Sequence, residues 1–152
     1  MLTILNILWF ILGGFLAGLG WWLAGILCAI TIVGLPWARA CFMLGNFTFW
    51  PFGRDVISRK ELTGRDDLGT GTFGTIGNIL WLIFAGWWLA LGHITLAISL
   101  GLTIIGIPFA IQHLKLAYAS LFPIGQTVVD ADIVQEARRN RAASQVQQLR
   151  QT

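Results

Sequence analysis

Charged residues are scarce in this chain and are absent from two long stretches of it. Only 11% of the 152 residues are Asp, Glu, Lys or Arg, whereas an average soluble domain has about 25%. Segments 2–38 and 68–114 contain none of the four. Uncharged apolar runs beyond about 18 residues indicate membrane insertion, so these segments exclude an ordinary soluble domain. The first is also longer than the roughly 7–15 apolar residues of a signal peptide, and we expect it to be retained.

Reactive side chains are equally few. The two cysteines, Cys28 and Cys41, lie thirteen positions apart, which fits neither a metal-binding nor a redox spacing. The sequence has no Ser/His/Asp set, paired carboxylates or metal-ligating cluster. We therefore expect no catalytic residue, no cofactor and no metal site, and we interpret the protein as a non-enzyme. The basic residues flank the apolar segments and form no nucleic-acid-binding stripe, so lipid headgroups are the expected partner.

The apolar sequence consists of two copies of one unit. Segment 6–57 aligns with segment 78–129 at a constant offset of 72, and 18 of the 52 aligned positions are identical. The copies share the motifs NILW, ITIVGLP/LTIIGIP and WPFG/FPIG. A fixed period of this kind indicates duplication. We predict four parts: a first membrane repeat at 1–57, a charged and then Gly-rich cytoplasmic linker at 58–77, a second membrane repeat at 78–129, and a soluble cytoplasmic tail helix at 130–152.

Each repeat begins with about 32 apolar residues, which is too long for one upright helix across a hydrocarbon core of about 30 Å. We predict an all-α membrane fold in which this stretch is an embedded hairpin of short helices. Its turns are expected at 18–20 and 90–92, because glycines beside Trp rings suit a membrane interface. The alternative is a hairpin of full spans that turns near Cys28 and Gly101 and continues helically through the next proline.

Pro36 and Pro108 follow the two apolar stretches. In the preferred interpretation they are hinges, after which an amphipathic helix lies in the membrane interface with Arg39 and Lys115 as its basic residues. Equally open is that these segments are the cytoplasmic ends of spanning helices, with both basic side chains snorkelling to the surface. On a helical wheel, one polar arc of the second copy contains Gln112, His113, Lys115, Ala119 and Ser120.

The topology follows from two basic clusters, one between the repeats and one after them. Short loops rich in Lys and Arg stay cytoplasmic, so both clusters should lie on one side. Each repeat must then cross an even number of times or enter as a re-entrant hairpin. We therefore predict parallel repeats related by an axis along the membrane normal, with both termini cytoplasmic. The clusters are Arg54, Arg59, Lys60 and Arg65, and Arg138, Arg139, Arg141 and Arg150.

A few side chains within the repeats are candidate functional residues. His93 is the only histidine, acid or base in either apolar stretch and is therefore a candidate for a transport pathway, although its counterpart Trp21 favours an interfacial position. Asn6 and Asn78 are interpreted as helix caps, with bridging between helices or subunits as the alternative. The remaining candidates are Thr31 and Thr103, expected to bond to their own helix, and the packing glycines Gly14, Gly18 and Gly86.

The paired motifs, the NILW openings and the GWWL at 86–89 resemble the YccF family of small bacterial inner-membrane proteins. The resemblance covers roughly residues 2 to 140. It implies a bacterial inner-membrane location and a duplicated inner-membrane domain, and it implies no catalytic or binding residue.

Two functions are consistent with these features. The first is a homo-oligomeric ion channel or passive transport protein. Four short membrane segments enclose little space, so a pathway would need several copies around an axis. The alternative is a structural or accessory membrane protein that does not transport and that binds lipid or a protein partner.

Overall fold

A computed structural model describes residues 1–151 as two similar helical units followed by a helical tail. The first unit contains α1 (Leu2–Trp9), a π-helical turn (Phe10–Gly14), α2 (Phe15–Ile30), α3 (Leu35–Phe49), β1 (Arg54–Ser58) and the short α4 (Arg59–Thr63). The second contains α5 (Thr72–Trp81), a π-helical turn (Leu82–Gly86), α6 (Trp87–Gly101), α7 (Ile107–Leu121) and β2 (Gln126–Asp130). The tail is α8 (Ala131–Leu149).

Two helical stretches are long and apolar enough to cross a membrane. They run over Leu2–Ile30 and Thr72–Gly101 and contain 29 and 30 residues, which is about 44 Å of helix at 1.5 Å per residue. Leu, Ile, Phe and Trp side chains dominate their exposed surface. A surface of that composition is suited to hydrocarbon.

Each long helix is interrupted at its π-helical turn, and the two interruptions differ in one backbone angle. Gly13 has a φ of +152°, a value that L side chains rarely adopt. The equivalent residue of the second repeat is Ala85, and its φ is not positive. A side chain at Gly13 would therefore be strained, whereas the second repeat accommodates one at the same position.

The turn of each hairpin lies at residues 31–34 and 103–106, between the antiparallel helices α2 and α3 or α6 and α7. Thr31 Oγ1 donates to the Cys28 carbonyl at 2.7 Å and accepts from the Gly34 N–H at 3.1 Å. The second repeat makes the same two bonds. The threonine therefore closes the turn by bonding backbone groups that the helix end leaves free.

The predicted turns at 18–20 and 90–92 are wrong, because both segments lie inside continuous helices. In lipid an interrupted helix would leave backbone groups without hydrogen-bond partners, so glycines there are held helical. The alternative turn near Cys28 and Gly101 lies within a few residues of the observed one. The returning helices begin one residue before Pro36 and Pro108 and continue to Phe49 and Leu121, close to the ends at Trp50 and Phe122 that this alternative expected.

Pro36 and Pro108 lie in the first turn of α3 and α7. A backbone N–H at that position has no partner within the helix, so its absence from proline does not weaken the helix. The chain reverses just before each proline, and the helix that follows is the returning arm of the hairpin. The predicted division of each repeat into a hairpin and a separate Pro-hinged helix is therefore wrong.

The polar arc predicted for α7 faces the protein interior. Gln112 and Ser120 are buried, whereas Ile111, Leu114 and Tyr118 are exposed. An interfacial amphipathic helix would expose its polar face instead, so that prediction is wrong for α7. Polar groups turned inward and apolar groups turned outward are typical of a helix surrounded by lipid.

The two repeats meet in a two-stranded antiparallel sheet, which the predicted all-α fold did not include, although the described chain is otherwise helical as predicted. The register of β1 and β2 places Val56 opposite Val128, and these residues are equivalent in the two repeats. A pseudo-twofold axis therefore passes between them. Two equivalent backbone bonds of 2.8 and 2.9 Å link the end of each strand to the other repeat and obey the same symmetry.

The core lies beside this sheet, where side chains of both repeats interlock. Leu44 of α3 and its equivalent Leu116 of α7 are fully buried. Trp9 of the first repeat stacks on Phe109 of the second, with ring centroids 6.4 Å apart, and meets Phe52 edge-on at 6.3 Å. Because each ring buries a large apolar area, these contacts join the repeats into one body.

The linker and the tail lie at the same end of the molecule as the sheet. Helix α8 packs on both strands and on α4, where Val134 is buried and Arg138 lies 3.6 Å from Glu61. Both basic clusters are therefore close together. The predicted part boundaries after residues 57, 77 and 129 fall inside β1, α5 and β2.

Candidate functional site: a cleft between the repeats

Two asparagines hold the start of each repeat against the Pro-x-Gly segment that ends its hairpin. Asn6 Nδ2 donates to the Phe52 carbonyl at 3.0 Å, and Asn6 Oδ1 accepts from the Phe52 N–H at 2.9 Å. Asn78 makes both bonds with Ile124 at 2.9 Å. The asparagines lie inside α1 and α5. The predicted capping role is therefore wrong, and the bonds go to the segments between α3 and β1 and between α7 and β2, not to another helix or subunit.

The candidate packing glycines are covered from within the same chain. A side chain at Gly14 would collide with the ring of Trp9, and one at Gly18 with the ring of Phe49. Gly86 lies close to the backbone of the end of α7. Gly18 and Gly86 therefore allow the long helix to approach its own hairpin partner, and Gly14 leaves space for the Trp9 ring of the same long helix.

The side chain of His93 on α6 faces that of His113 on α7. Its Nδ1 lies 3.0 Å from Nδ1 of His113, so one ring must donate and the other accept. The His113 ring lies 4.8 Å from the ring of Trp9. The equivalent residues of the first repeat are Trp21 and Cys41, so the duplication did not retain this pair in both copies.

The two candidate basic residues of α3 and α7 have different surroundings. Lys115 Nζ donates to the Arg54 carbonyl at 3.1 Å and lies 3.7 Å from Asp55 Oδ2, which links α7 to β1. Arg39 is exposed on α3. Within residues 1–151 its side chain makes no hydrogen bond and no ion pair. Arg39 is therefore available to a ligand, whereas Lys115 is engaged.

A cleft of about 840 Å³ opens beside Arg39, between the two repeats. Its volume is within the range of small-molecule sites, about 300–1,000 Å³. One wall is apolar and comes from α3 and α5, with Pro36, Trp37, Met43, Phe73, Ile76 and Leu80. The other end is polar and comes from the linker and the start of β2, with Arg59, Asp67 and Gln126. The cleft thus combines an apolar wall with a polar mouth.

One hydrogen bond and one close approach hold the apolar wall together. Trp37 Nε1 donates to the Gly77 carbonyl at 3.1 Å, which ties α3 to α5. A side chain at Gly77 would press against Ile124, with its Cβ only 2.7 Å from that residue. Glycine at this position therefore lets α5 approach the segment that follows α7 in the same repeat, and the cleft forms between two fixed helices.

The polar mouth contains a bidentate ion pair. Arg59 Nε and Nη2 donate to the two Asp67 carboxylate oxygens at 2.6 and 2.9 Å. These hydrogen bonds hold the pKa of Asp67 well below its usual range, and they raise the pKa of Arg59. Asp67 also accepts from the N–H groups of Gly69 and Thr70. Both charges are therefore retained near neutral pH and neutralise each other, while the carboxylate fixes the linker loop.

The ion pair at the polar mouth was not predicted from the sequence. Arg59 and Asp67 are eight positions apart in a linker with several other charges, a composition equally typical of a solvated loop. Opposite charges within one short linker were the only signal, and such a signal does not specify a partner. The packing of the linker against β2 decides the pairing.

Comparison with known proteins agrees with the duplicated pattern. The family model described as YccF, inner membrane component domain, matches the chain twice, at residues 4–54 and 76–126. The chain belongs to the YccF family. It is 43% identical over 144 residues to the Inner membrane protein YccF of Escherichia coli (strain K12) and to the protein of the same name from Shigella flexneri. Each alignment covers 93% of this chain and 97% of the relative. No solved structure matches the chain.

The cleft uses both YccF domains and the segment between them. Its apolar wall comes from the end of the first domain and the start of the second, at residues 36–43 and 76–80. Arg59, Asp67 and Gly69 lie outside both matches. A single YccF domain would therefore lack most of the cleft, which arises from the tandem arrangement.

Proposed function

We propose that this YccF protein is an accessory protein of the bacterial inner membrane that does not transport and that binds a phospholipid in the cleft between its repeats. The observation that carries the proposal is the cleft itself, which is lined by an apolar wall and by charged side chains. A phospholipid has the same two parts. Its acyl chain matches the wall, and its headgroup matches the charged side chains.

The surroundings of the cleft favour a lipid over a water-soluble ligand. The exposed residues of α5 next to it, such as Ile76 and Leu80, are apolar, and α5 belongs to the second helical stretch that is long and apolar enough to cross a membrane. A lipid already in the bilayer reaches such a wall without crossing water. A polar metabolite would have to leave water for an apolar surface, which is unfavourable.

We further propose a multi-pass arrangement with both termini cytoplasmic. The proximity of α4 and α8, which carry parts of the two basic clusters, supports it, because short basic segments remain cytoplasmic. Reporters at the C-terminus and near Gly64 are expected on the same side of the membrane. Reporters on opposite sides would contradict this arrangement.

Leu80 and Leu8 provide a matched test of lipid binding. They are equivalent residues with 42% and 44% of their surface exposed, and of the two only Leu80 lines the cleft. In Leu80→Trp the indole would fill the apolar wall, so the variant should lose the tightly held phospholipid. Leu8→Trp should retain it as the wild type does.

Native mass spectrometry of the delipidated protein after addition of phospholipid measures retention. At least one lipid is expected to survive collisional activation in the wild type and in Leu8→Trp. A wild type that retains none, or a Leu80→Trp variant that retains as much as the wild type, would contradict lipid binding in the cleft. Equal melting temperatures of the two variants control for folding.

A homo-oligomeric channel or passive pathway is the second candidate, and the His93–His113 pair favours it. Two imidazoles that face each other between α6 and α7 supply polar atoms inside an apolar hairpin, where ionisable groups commonly mark ion or proton pathways. Because Gly14 and Gly18 are covered within the chain, they do not provide the subunit contact. Gly20 has open space around it and is the better candidate for close approach of a second copy.

Mass measurement in mild detergent tests the second candidate. A pathway requires a wild-type assembly of several copies and ion flux in liposomes. Gly20→Leu should reduce the mass of that assembly without unfolding the protomer. A monomeric wild type, or an assembly without flux, would contradict it.

A further inference from the structure

We infer that the phospholipid bound in the cleft is anionic and that Arg39 binds its phosphate. The inference rests on the proposed lipid binding and adds the class of headgroup and the residue that selects it. Anionic phospholipids carry a net negative charge, whereas zwitterionic ones carry a compensating cation on the same headgroup. A site with an uncompensated positive charge distinguishes the two classes.

The charges that line the cleft leave one positive charge without a partner. The lining contains three charged side chains, Arg39, Arg59 and Asp67. Arg59 and Asp67 form the bidentate pair with bonds of 2.6 and 2.9 Å and cancel each other. Arg39 has no protein partner within residues 1–151, so the cleft has a net charge of about +1 near neutral pH.

The position of Arg39 suits a phosphate whose acyl chain lies along the wall. It is on α3 one turn from Pro36 and Met43, and all three residues line the cleft. A guanidinium can donate two parallel hydrogen bonds to phosphate oxygens. Because Arg39 is next to low-dielectric apolar surface, its attraction for an anion is screened less than that of a fully hydrated arginine.

The second repeat has no arginine at the position equivalent to Arg39, so the predicted phosphate site is not duplicated. The residue equivalent to Arg39 is Ile111, and it is exposed and apolar. The nearby Lys115 is bonded to β1 through the Arg54 carbonyl and faces Asp55. The duplication therefore contributes two similar surfaces, and only the first has a free cation beside the cleft.

The experiment compares headgroups in the full-length protein and uses a charge-matched control. Dioleoyl phosphatidylglycerol and dioleoyl phosphatidylethanolamine compete for the delipidated protein, and native mass spectrometry measures the ratio retained. Wild type should prefer the anionic lipid about tenfold, the order expected for one charge-assisted pair. Arg39→Gln should reduce that preference to near unity. Arg139→Gln removes the same charge from exposed α8 and should leave the preference unchanged.

Two further arms separate the possible sources of an effect. Arg39→Lys keeps the charge without the planar fork, so it should retain part of the preference if phosphate is the ligand. Inorganic phosphate at millimolar concentration should not displace the lipid, because it lacks the acyl chain. Displacement by phosphate alone would overturn the inference in favour of a simple anion site.

The outcomes distinguish the inference from the proposed function. Retention of lipid by the wild type without headgroup preference would overturn the inference and leave lipid binding intact. A preference that survives Arg39→Gln, or that Arg139→Gln removes equally, would overturn the role of Arg39. Retention of no lipid at all would contradict the proposed function itself. Equal thermal unfolding of the exposed-site variants shows that any difference does not come from misfolding.

Discussion

Replacing Asn6 by Leu should destabilise the protein much more than the same change at Asn78. The two residues make the same pair of hydrogen bonds, to Phe52 and to Ile124, at 2.9–3.0 Å. Their burial differs, since Asn6 is 1% exposed and Asn78 is half-buried. Leucine has the same branching and the same number of side-chain heavy atoms as asparagine but makes neither bond, so each variant removes two bonds while it keeps the shape of the side chain.

The expected magnitudes follow from that difference in burial. Each hydrogen bond contributes about 1 kcal/mol net, and a buried polar group left without a partner costs about 1–3 kcal/mol more. In Asn6→Leu the N–H and carbonyl of buried Phe52 both lose their partner, so the free energy of unfolding should fall by about 3 kcal/mol. At Ile124, which is half-buried, water can replace the amide, and the loss should be about 1 kcal/mol.

The measurement is reversible unfolding of each variant in the same detergent, by steric trapping or by denaturant titration. The double variant should show additive effects because the sites share no partner. Equal losses of unfolding free energy at the two positions, or a loss below about 0.5 kcal/mol at Asn6, would refute the reasoning that burial sets the contribution of these hydrogen bonds.

Two further predictions concern the long helix and the linker. Gly18→Leu should prevent normal folding, because the leucine side chain would occupy the space of the Phe49 ring. Gly20→Leu should fold, because nothing lies within 4 Å of a Cβ at that position. Yields of folded protein and melting temperatures in detergent measure the difference, and similar values for the two variants would contradict the prediction. The pKa of Asp67 is depressed by its bonds from Arg59, so its stabilisation of the linker is present above the unfolded value of about 3.9 and is lost as pH falls below it. The protection factors of the linker amides, which compare each exchange rate with the intrinsic rate at the same pH, should fall between about pH 4 and pH 2 in the wild type and should already be low at pH 5 in Asp67→Asn; protection that acid does not change would contradict it.

Several features of the fold were accessible from the sequence, because they depend on composition and period. The two charge-free stretches predicted membrane insertion, and the constant offset of 72 predicted the duplication that the two family matches confirm. Neither inference needs knowledge of which residues touch. The length argument was wrong, because Leu2–Ile30 and Thr72–Gly101 each form one long helical stretch that is interrupted only by a π-helical turn, and the chain reverses after that stretch and not within it.

The position of the reversal could not be read in the same way. Glycines at 18–20 looked like a turn by the rules of soluble proteins, but they lie within α2. The actual turn uses the hydroxyl of Thr31 to bond two backbone groups, and threonine followed by Gly34 is too common a pair to be noticed in isolation. The prolines were identified correctly as special positions, yet they begin a helix instead of separating two.

The small sheet and the cleft depend on contacts between residues far apart in the chain. β1 and β2 have five residues each, too few for a strand pattern to stand out, and each pairs with the equivalent strand of the other repeat. Likewise, nothing local indicates that Arg59 pairs with Asp67 while Arg39 stays free. These assignments exist only after the linker has packed against the second repeat.

The sequence alone therefore determined the environment of this protein and its twofold construction, because hydrophobicity and repetition are properties of the chain that survive any arrangement in space. The tertiary structure decided which polar groups are engaged. Asn6 and Lys115 have partners on distant segments, and Asp67 pairs with Arg59 within the linker, while Arg39 has no partner within residues 1–151. The physical reason is that a hydrogen bond or an ion pair depends on distances of a few ångströms, and only the folded chain sets those distances.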